Sequence, residues 1–376
     1  MKLGIISPYP PIKGGIASET EAIYHILSTK YDIEIFSYNK MYPTFLYPDD
    51  SQYDLSIKNI KKTNINFLLN SFNPFSWKKS TNEILKTNCS HFIIRFWNPF
   101  FIPFYLYLIK KMRGYNNKIK IYCICDNILP HERIIFDKYL IQYFFRKFNG
   151  YIVMSNISLN LLMGMINNRK LIIKSFLPLK NKYQENILKD EALKVLNIKK
   201  PKLLLLMFGL VRDYKGLDVV LNSLKYLKEY DIKLLIAGKC YSNKNKYIKI
   251  VKDNNLNNMV IWHDNYIPES KVNLYFSATD VVILSHKNIS QSGTIPLSYH
   301  FNKLILASNL DSFKEHIDDS KTGYLFNKND VLSLSNTIKH VYKNHDFKFS
   351  ESYIENYKTR YSDQKILADY DSLFRL

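Results

Sequence analysis

The sequence predicts an α/β protein with two domains, each built on a parallel sheet. Short apolar strands alternate with helical patterns almost throughout the 376 residues, and this alternation is typical of parallel sheets covered by helices. A chain of this length usually forms more than one hydrophobic core. The pattern breaks near Pro178, where a polar segment rich in Lys, Asn and Glu begins. We therefore predict one domain over residues 1–178 and a second over residues 179–360.

The first half opens with a strand, a loop and a helix. Residues 2–6 form an apolar strand, residues 8–15 are rich in proline and glycine, and residues 16–27 carry apolar side chains at helical spacing. The run from Phe92 to Ile109 is very apolar but contains Arg95 and two prolines, which favours a strand, a turn and a helix over a membrane span. Further strands are predicted over residues 33–36, 92–96, 119–125 and 151–154.

The second half repeats this alternation more regularly. A short helix over residues 191–196 leads into the first strand, and a helix opening at Gly216 follows that strand with a clear apolar face. Strands are predicted over residues 203–207, 233–237, 260–262, 281–284, 304–307 and 324–326. A last helix, within residues 361–376, has no strand partner of its own, and we expect it to pack on the first domain.

Composition narrows the range of partners. The formal net charge of +20 fits nucleic acid, an anionic membrane surface or phosphorylated substrates. No zinc finger, basic heptad helix or RNP-like motif is present, so charge alone supports RNA binding and we expect no nucleic-acid partner. The four cysteines show no metal spacing, and neither a signal peptide nor a membrane span is visible. We expect a cytoplasmic protein that needs neither a metal nor another cofactor.

The strongest functional signal is an anion-binding pattern after the strand at residues 203–207. Gly209 allows a tight turn, Arg212 and Lys215 follow, and a helix opens at Gly216. Cations at a turn between a strand and a helix N-terminus suit a diphosphate, which arginine would bind with two parallel hydrogen bonds and lysine as a point charge. The alternative is a pair of solvated surface cations.

Two other loops have the composition of phosphate or sugar sites. Gly14 and Gly15 lie in the first strand-to-helix loop, where backbone N–H groups can approach an anion, although an ordinary tight turn would look the same. The segment 291–294 precedes an apolar helix, and its hydroxyl, amide and N–H groups suit phosphate or sugar oxygens, unless Ser290 or Ser292 only caps the helix. Candidate donor contacts here are Gln291, Ser292, Gly293, Thr294 and Ser298, with Tyr266 at the border of a base or sugar pocket.

A third group of candidates follows the strand at residues 119–125. Asp126, His131 and Glu132 come together at the carboxyl end of that strand, where a crevice enzyme places groups for proton transfer or hydroxyl recognition. The alternative is local: Asp126 in a turn, and His131 and Glu132 starting a helix after Pro130.

Taken in order, these segments resemble a known family. The chain is similar to the large retaining glycosyltransferase family known as glycosyl transferases group 1, which includes bacterial polysaccharide and O-antigen enzymes. The resemblance covers essentially the whole chain and is carried by residues 14–16, 125–132, 208–216, 235–238, 291–293 and 321–323. It implies the GT-B fold, in which two Rossmann-like domains face each other across a cleft, and a last helix that crosses back to the first domain.

The resemblance also implies roles for the candidate residues. The donor nucleotide sugar would bind the C-terminal domain and the acceptor the N-terminal one, and transfer would be metal-independent. Arg212, Lys215 and the Gly15 backbone would bind the donor diphosphate, and Gly293 and Thr294 the donor sugar or phosphate. Many members carry two glutamates where this chain has Ser290 and Ser298, an arginine where it has Leu210, and a histidine where it has Asp126.

We therefore expect a hexosyltransferase that uses a UDP- or GDP-linked sugar and a growing glycan, on a polyprenyl diphosphate carrier at the inner face of the membrane. The basic composition suits an anionic membrane surface. A soluble acceptor, a sugar-nucleotide epimerase and a non-catalytic scaffold subunit are the alternatives, and the two missing glutamates favour the scaffold.

Overall fold

The computed structural model describes residues 1–43, 51–54, 63–128, 137–166, 170–178, 187–289, 291–344 and 351–375. These residues form two compact units. One combines Met1–Pro178 with Ser362–Leu376, and the other is Leu179–Tyr361. Within the described ranges, no helix has the length and apolar character that a bilayer crossing requires.

The first unit is built on a seven-stranded parallel sheet. Its strand order is β3-β2-β1-β4-β5-β6-β7, so the order reverses between β1 and β4. The strands are β1 (Lys2–Ile6), β2 (Asp32–Lys40), β3 (Ile65–Asn70), β4 (His91–Phe96), β5 (Lys120–Cys125), β6 (Gly150–Val153) and β7 (Leu171–Lys174). The helices between them are α1 (Gly15–Leu27), α2 (Pro74–Lys86), α3 (Ile102–Tyr115), α4 (Asp137–Phe145) and α5 (Asn156–Met163).

The second unit has the same architecture with six parallel strands, in the order β10-β9-β8-β11-β12-β13. Its strands are β8 (Leu203–Phe208), β9 (Ile232–Ala237), β10 (Val260–His263), β11 (Val281–Leu284), β12 (Leu304–Ser308) and β13 (Gly323–Phe326). Its helices are α6 (Lys189–Val195), α7 (Leu217–Leu224), α8 (Lys244–Asp253), α9 (Glu269–Ala278), α10 (Thr294–His300), α11 (Asp311–Lys314), α12 (Val331–Asn344) and α13 (Glu351–Lys358).

The central strands of both sheets are continuous apolar runs because helices cover both faces. β8, β11 and β12 bury nearly every side chain, as expected for a parallel sheet between two helical layers. The predicted fold class, two Rossmann-like α/β units, is confirmed. The sequence analysis missed the two outermost strands of the first sheet, β3 and β7, which are less buried than the central ones.

The last helix, α14 (Asp363–Phe374), packs on the first unit. Ser362 caps it, since its side chain accepts from the Lys365 N–H at 3.3 Å. Ile366, Tyr370, Leu373 and Phe374 join the core formed by one face of the first sheet and α1. Asp371 accepts from the Lys30 ammonium at 2.6 Å and from the Tyr31 hydroxyl, and these hydrogen bonds hold the pKa of its carboxyl well below the ordinary value.

Candidate functional site

The candidate site of the second unit lies where the strand order of its sheet reverses. β8 and β11 are neighbours, but their connections leave in opposite directions along the sheet. Such a reversal opens a crevice beyond the carboxyl ends of the two strands, and ligands of open α/β sheets bind there. The loops that border it comprise residues 209–216 after β8 and, after β11, the described residues 285–289 and 291–293. The sequence predicted ligand contacts in the first loop and in residues 291–294.

The two loops are fitted tightly to each other at Gly216. This residue has a φ of 71°, and a Cβ built on it would lie 2.0 Å from the carbonyl oxygen of Ser285. The Ser285 hydroxyl donates to the carbonyl of Lys215 at 2.7 Å. Only glycine combines this backbone conformation with this close approach. The single turn of 3₁₀-helix that carries Lys215, Asp213–Lys215, is therefore held against the end of β11.

Lys215 extends into the interior of its own loop. The side chain is half-buried, and its ammonium donates to the carbonyl of Phe208 at 3.2 Å. Burial, and secondarily the charge of Arg212, lowers the pKa of Lys215 to about 8. Burial lowers the pKa of His286, which is 3% exposed, and the charge of Lys215 lowers it further. The ammonium thus lies in a partly dehydrated place, and an anion there would favour its charged form.

Arg212 lies beside Lys215 but is exposed. Its guanidinium carbon is 5.6 Å from the centre of the Tyr241 ring. The nearby carboxylates have other partners: Asp213 accepts from the Tyr247 hydroxyl at 2.8 Å, and Asp218 pairs with Lys287 at 2.7 Å. Within the described ranges, neither Arg212 nor Lys215 has a carboxylate within ion-pair distance. The structure therefore brings two uncompensated cations together at the crevice.

The second loop leads into α10. Ser292 and Thr294 are half-buried, and the Thr294 N–H donates to the Ser292 hydroxyl at 3.3 Å. Gly293 has an ordinary helical φ of −64°, which any residue can adopt. Gln291 and Gly293 are half-buried as well. Their predicted contacts with a donor remain predictions, and Ser290 lies outside the described residues.

Ser298 and Tyr266 occupy different surroundings from these loop residues. Ser298 is fully buried in α10, and its hydroxyl donates to the carbonyl of Thr294 at 2.7 Å. That hydroxyl is thus used within the helix, and its predicted donor contact stays a prediction. Tyr266 follows β10 and is half-buried.

The corresponding reversal in the first unit lies between β1 and β4, and α1 begins beside it. Gly14, which precedes the helix, has a φ of 120° and makes no side-chain cap bond. Gly14 and Gly15 are both exposed, and a Cβ on Gly14 would meet nothing within 4 Å. There is therefore room for an anion beside the start of α1, where the predicted contact at Gly15 would form.

A buried ion cluster lies next to this loop, and the sequence analysis did not identify it. Arg95, at the end of β4, is 0% exposed. It donates to both carboxylate oxygens of Asp126, at 2.6 Å and 2.7 Å. It also donates to the carboxylate of Glu19 in α1 and, at 3.1 Å, to the carbonyl of Ile16. The signal in the sequence was a single charge inside the apolar strand of residues 92–96.

This cluster changes the interpretation of Asp126. Its carboxylate is 3% exposed and forms a two-point pair with Arg95, so its observed contact is structural: it ties the end of β5 to β4 and to the first turns of α1. Its predicted part in proton transfer or hydroxyl recognition remains a prediction. His131 and Glu132 lie outside the described residues. Among the described residues, no group of three or more His, Cys, Asp or Glu side chains is arranged to hold a metal ion.

Comparison with known proteins agrees with the fold. No curated protein matches the sequence. Among solved structures, sucrose-phosphate synthase from Thermosynechococcus elongatus superposes with a TM-score of 0.74 at 15% identity, covering 100% of this chain and 98% of that one. HepE from Anabaena, solved in complex with UDP-glucose, gives 0.74 at 12% identity and covers 100% of both chains.

A third structure, the lipopolysaccharide outer core galactosyltransferase WaaB in its apo form, gives a TM-score of 0.65 at 14% identity, covering 100% of this chain and 99% of that one. The family model "Glycosyl transferases group 1" matches residues 189–360, which include the Arg212–Lys215 loop and α10. The chain is therefore a glycosyltransferase of the GT-B fold, and its residues 189–360 match the glycosyl transferases group 1 family.

Proposed function

We propose that the chain transfers a hexose from a UDP- or GDP-linked donor to a growing glycan, with retention of anomeric configuration and without a metal ion. In this reaction the bond between the anomeric carbon and the diphosphate oxygen breaks, and a new bond forms to an acceptor hydroxyl, which loses its proton. The diphosphate leaves with additional negative charge, so positive groups placed beside it lower the barrier.

The observation that carries this proposal is the pair Arg212 and Lys215 at the reversal point of the second sheet. Neither cation has a carboxylate partner in the described part of the chain, and Lys215 is partly dehydrated. A charge-assisted hydrogen bond contributes about 1.5–3 kcal/mol, so loss of either contact weakens diphosphate binding about 10–100-fold. We assign the departing diphosphate to these two side chains, and the donor sugar to the segment 291–294.

The first unit supplies the acceptor side in this proposal. Asp126, with His131 and Glu132, faces the reacting sugar and acceptor. Gly14 and Gly15, at the N-terminus of α1, contact the donor, and the Gly15 backbone N–H binds its diphosphate. Because both oxygens of Asp126 bond to Arg95, this carboxylate also holds the end of β5 in place.

For the acceptor we propose a polyprenyl diphosphate-linked glycan of a surface polysaccharide or O-antigen, reached at the inner face of the cytoplasmic membrane. WaaB, a lipopolysaccharide galactosyltransferase, covers 100% of this chain in superposition, and the formal net charge of +20 favours an anionic surface. The protein should sediment with anionic vesicles and lose this binding as salt rises, because the attraction is screened. Binding that is unaffected by salt would exclude this electrostatic part.

A thermal-shift panel of nucleoside diphosphates and nucleotide sugars tests the donor assignment. A ligand at a hundred times its dissociation constant stabilises the protein by about 2.7 kcal/mol, which is readily measured. Transfer or hydrolysis of the donor that gives the largest shift is then compared in the wild type, in Lys215→Met and in Lys228→Gln, an exposed control on the same unit. Near-normal turnover in Lys215→Met would remove the diphosphate role.

The second candidate is a non-catalytic scaffold subunit of a glycan assembly complex. It is favoured by the serines at positions 290 and 298, where many family members carry glutamates, and by the burial of Ser298. A scaffold predicts nucleotide binding without turnover of any nucleotide sugar. Transfer to a soluble sugar alone would instead indicate a GT-B enzyme that needs no lipid carrier.

A further inference from the structure

A second cationic cavity lies in the first unit, at the opposite edge of the sheet from Asp126. Asp126 follows the carboxyl end of β5, whereas this cavity lies where β6 and β7 begin, beside Lys170, the residue before β7. Its volume is about 470 Å³. The side chains and backbone that line it are Gln142, Arg146, Gly164, Met165, Ile166 and Lys170.

Two cations, Arg146 and Lys170, line this cavity, and Arg113 and Lys147 lie near Lys170. We call these four residues the basic cluster. Arg113, in the last turn of α3, donates to the carbonyl of Lys147. The Lys170 ammonium donates to the carbonyls of Arg146 at 2.7 Å and Phe148 at 2.6 Å. These bonds satisfy the carbonyls at the end of α4, where cations are favourable. They place four positive charges within one small region.

The basic cluster lacks carboxylate partners among the described residues, unlike several other cations of this unit. Lys2 pairs with Glu34 at 3.1 Å, Lys30 with Asp371 at 2.6 Å, and Arg95 with two carboxylates. No ion pair to any member of the basic cluster occurs within the described ranges. Burial, and then the charges of Arg113 and Lys147, lowers the pKa of Lys170. Mutual repulsion of this kind is relieved by a bound anion.

The walls and rim of the cavity indicate the kind of anion. Met165 and Ile166 give it an apolar side and Gln142 an amide, so it suits an organic group attached to a charged one. On α4, Tyr139 and Tyr143 lie on the same helical face as Arg146 and are 75% and 51% exposed. The ammonium of Lys147 lies 4.0 Å from the Tyr143 ring. A basic pocket with exposed tyrosines at its rim is suited to a phosphate ester at an interface.

We propose that this cavity binds the phosphate group of an organic phosphate ester, supplied either by a phospholipid headgroup or by a soluble ester. Arg146 and Lys170 contact the phosphate oxygens, and Arg113 and Lys147 add long-range attraction. The site is separate from the donor and acceptor positions proposed above, because it lies at the amino-terminal edge of the first sheet. It does not depend on the identity of the sugar donor.

The test compares the wild type with Arg146→Gln and with Lys79→Gln, each of which removes one exposed charge. Lys79 lies on α2, which packs on β3 at the far edge of the same sheet. One arm measures binding of glycerol phosphate by calorimetry. The other measures sedimentation with vesicles of phosphatidylcholine alone and with about one-third phosphatidylglycerol, an anionic lipid.

Loss of one charge-assisted phosphate contact weakens binding about 10–100-fold, so Arg146→Gln should show this loss and Lys79→Gln little change. Loss confined to the vesicle arm assigns the site to a lipid headgroup, and loss in the calorimetric arm assigns it to a soluble ester. Lys170→Gln provides a second variant, with its melting temperature followed because that side chain also bonds two carbonyls.

Absence of binding in both arms, or equal losses in Arg146→Gln and Lys79→Gln, would overturn the proposal. The thermal shift that a nucleoside diphosphate produces is measured in the same variants. That shift should be the same in Arg146→Gln as in the wild type, so failure of this site and failure of the proposed donor site give different results.

Discussion

Raising the pH should weaken donor binding, because the Lys215 ammonium loses its proton and with it the positive charge that contacts the diphosphate. The pKa of this ammonium is about 8 in the unliganded protein, so above pH 8 each further unit lowers the charged fraction about tenfold. A contact between the ammonium and the diphosphate contributes about 1.5–3 kcal/mol. Because only the protonated form makes this contact, the pKa of Lys215 in the complex is higher by about one to two units. The terminal phosphate of a nucleoside diphosphate is already ionised here. The Kd should therefore rise about 6–20-fold between pH 7.5 and pH 9.5.

Calorimetry in buffers of different ionisation enthalpy measures the same linkage directly. With half of the ammonium groups deprotonated at pH 8, binding should take up about half a proton, and this uptake should fall towards zero at pH 6.5. Lys215→Met should bind weakly at every pH with no uptake, whereas Lys228→Gln, an exposed control, should behave like the wild type. Identical pH profiles in the wild type and in Lys215→Met would refute the reasoning.

Stability should change in the opposite direction. The folded-state pKa of Lys215, about 8, lies below the ordinary value of 10.5, so the folded protein holds fewer protons than the unfolded chain between these two values. The free energy of unfolding therefore gains from Lys215 as pH rises from about 8 to 10.5. At pH 7, Lys215→Met removes the cost of burying the charge, which is at most about 3 kcal/mol. A variant that melts higher but binds more weakly cannot be explained by misfolding.

Three further variants test the framework around both sites by chemical denaturation. Gly216→Ala should lower the free energy of unfolding by about 2–5 kcal/mol, because it adds a Cβ at positive φ against the Ser285 carbonyl. The control Gly114→Ala in α3, where a Cβ would meet nothing within 4 Å, should be neutral or slightly stabilising. Equal losses in the two variants would contradict this. Arg95→Met should cost about 3–5 kcal/mol by leaving two carboxylates buried without their cation, and a loss below about 1 kcal/mol would show that water reaches them. Ile366→Ala should cost about 2–5 kcal/mol, and an unchanged transition would mean that α14 is detached from the first unit in solution.

Much of the fold could be predicted because it follows from local patterns. β11 begins and ends where its apolar run does, since a strand buried on both faces is mostly apolar. The two edge strands of the first sheet were missed because they lack such a run. β3 carries asparagines at positions 66 and 70, and β7 is a four-residue strand that is only partly buried, so neither shows a buried run.

The residues of the candidate sites also differ in whether they could be predicted from the sequence. Arg212 and Lys215 could be recognised because a strand end, a glycine turn and two cations lie within one short segment. Arg95 could not, because its partners Glu19 and Asp126 are 76 and 31 residues away in the chain. Only the neighbouring positions of β4, β5 and α1 bring these three charges together. The residues of the basic cluster likewise come from separate parts of the chain: α3, the segment that follows α4, and the residue before β7.

The two glutamates that this chain lacks affect how it can hold a donor. Many members of the similar family carry glutamates at the positions of Ser290 and Ser298, and the second of these usually binds the donor ribose. The region around the crevice after β8 and β11 is therefore more positive than it would be with both carboxylates present, and Asp218 on α7 already pairs with Lys287. Ser298 offers a hydroxyl that donates to the carbonyl of Thr294 in place of a carboxylate for the ribose. More of the donor's binding energy must then come from the diphosphate, and it is this part of the donor that gains charge as the sugar leaves.

Interactions that become stronger during the reaction raise turnover, whereas a ribose contact stabilises the ground state and the transition state equally. Loss of the ribose carboxylate is thus compatible with an active enzyme, provided that Lys215 carries its proton when the donor binds.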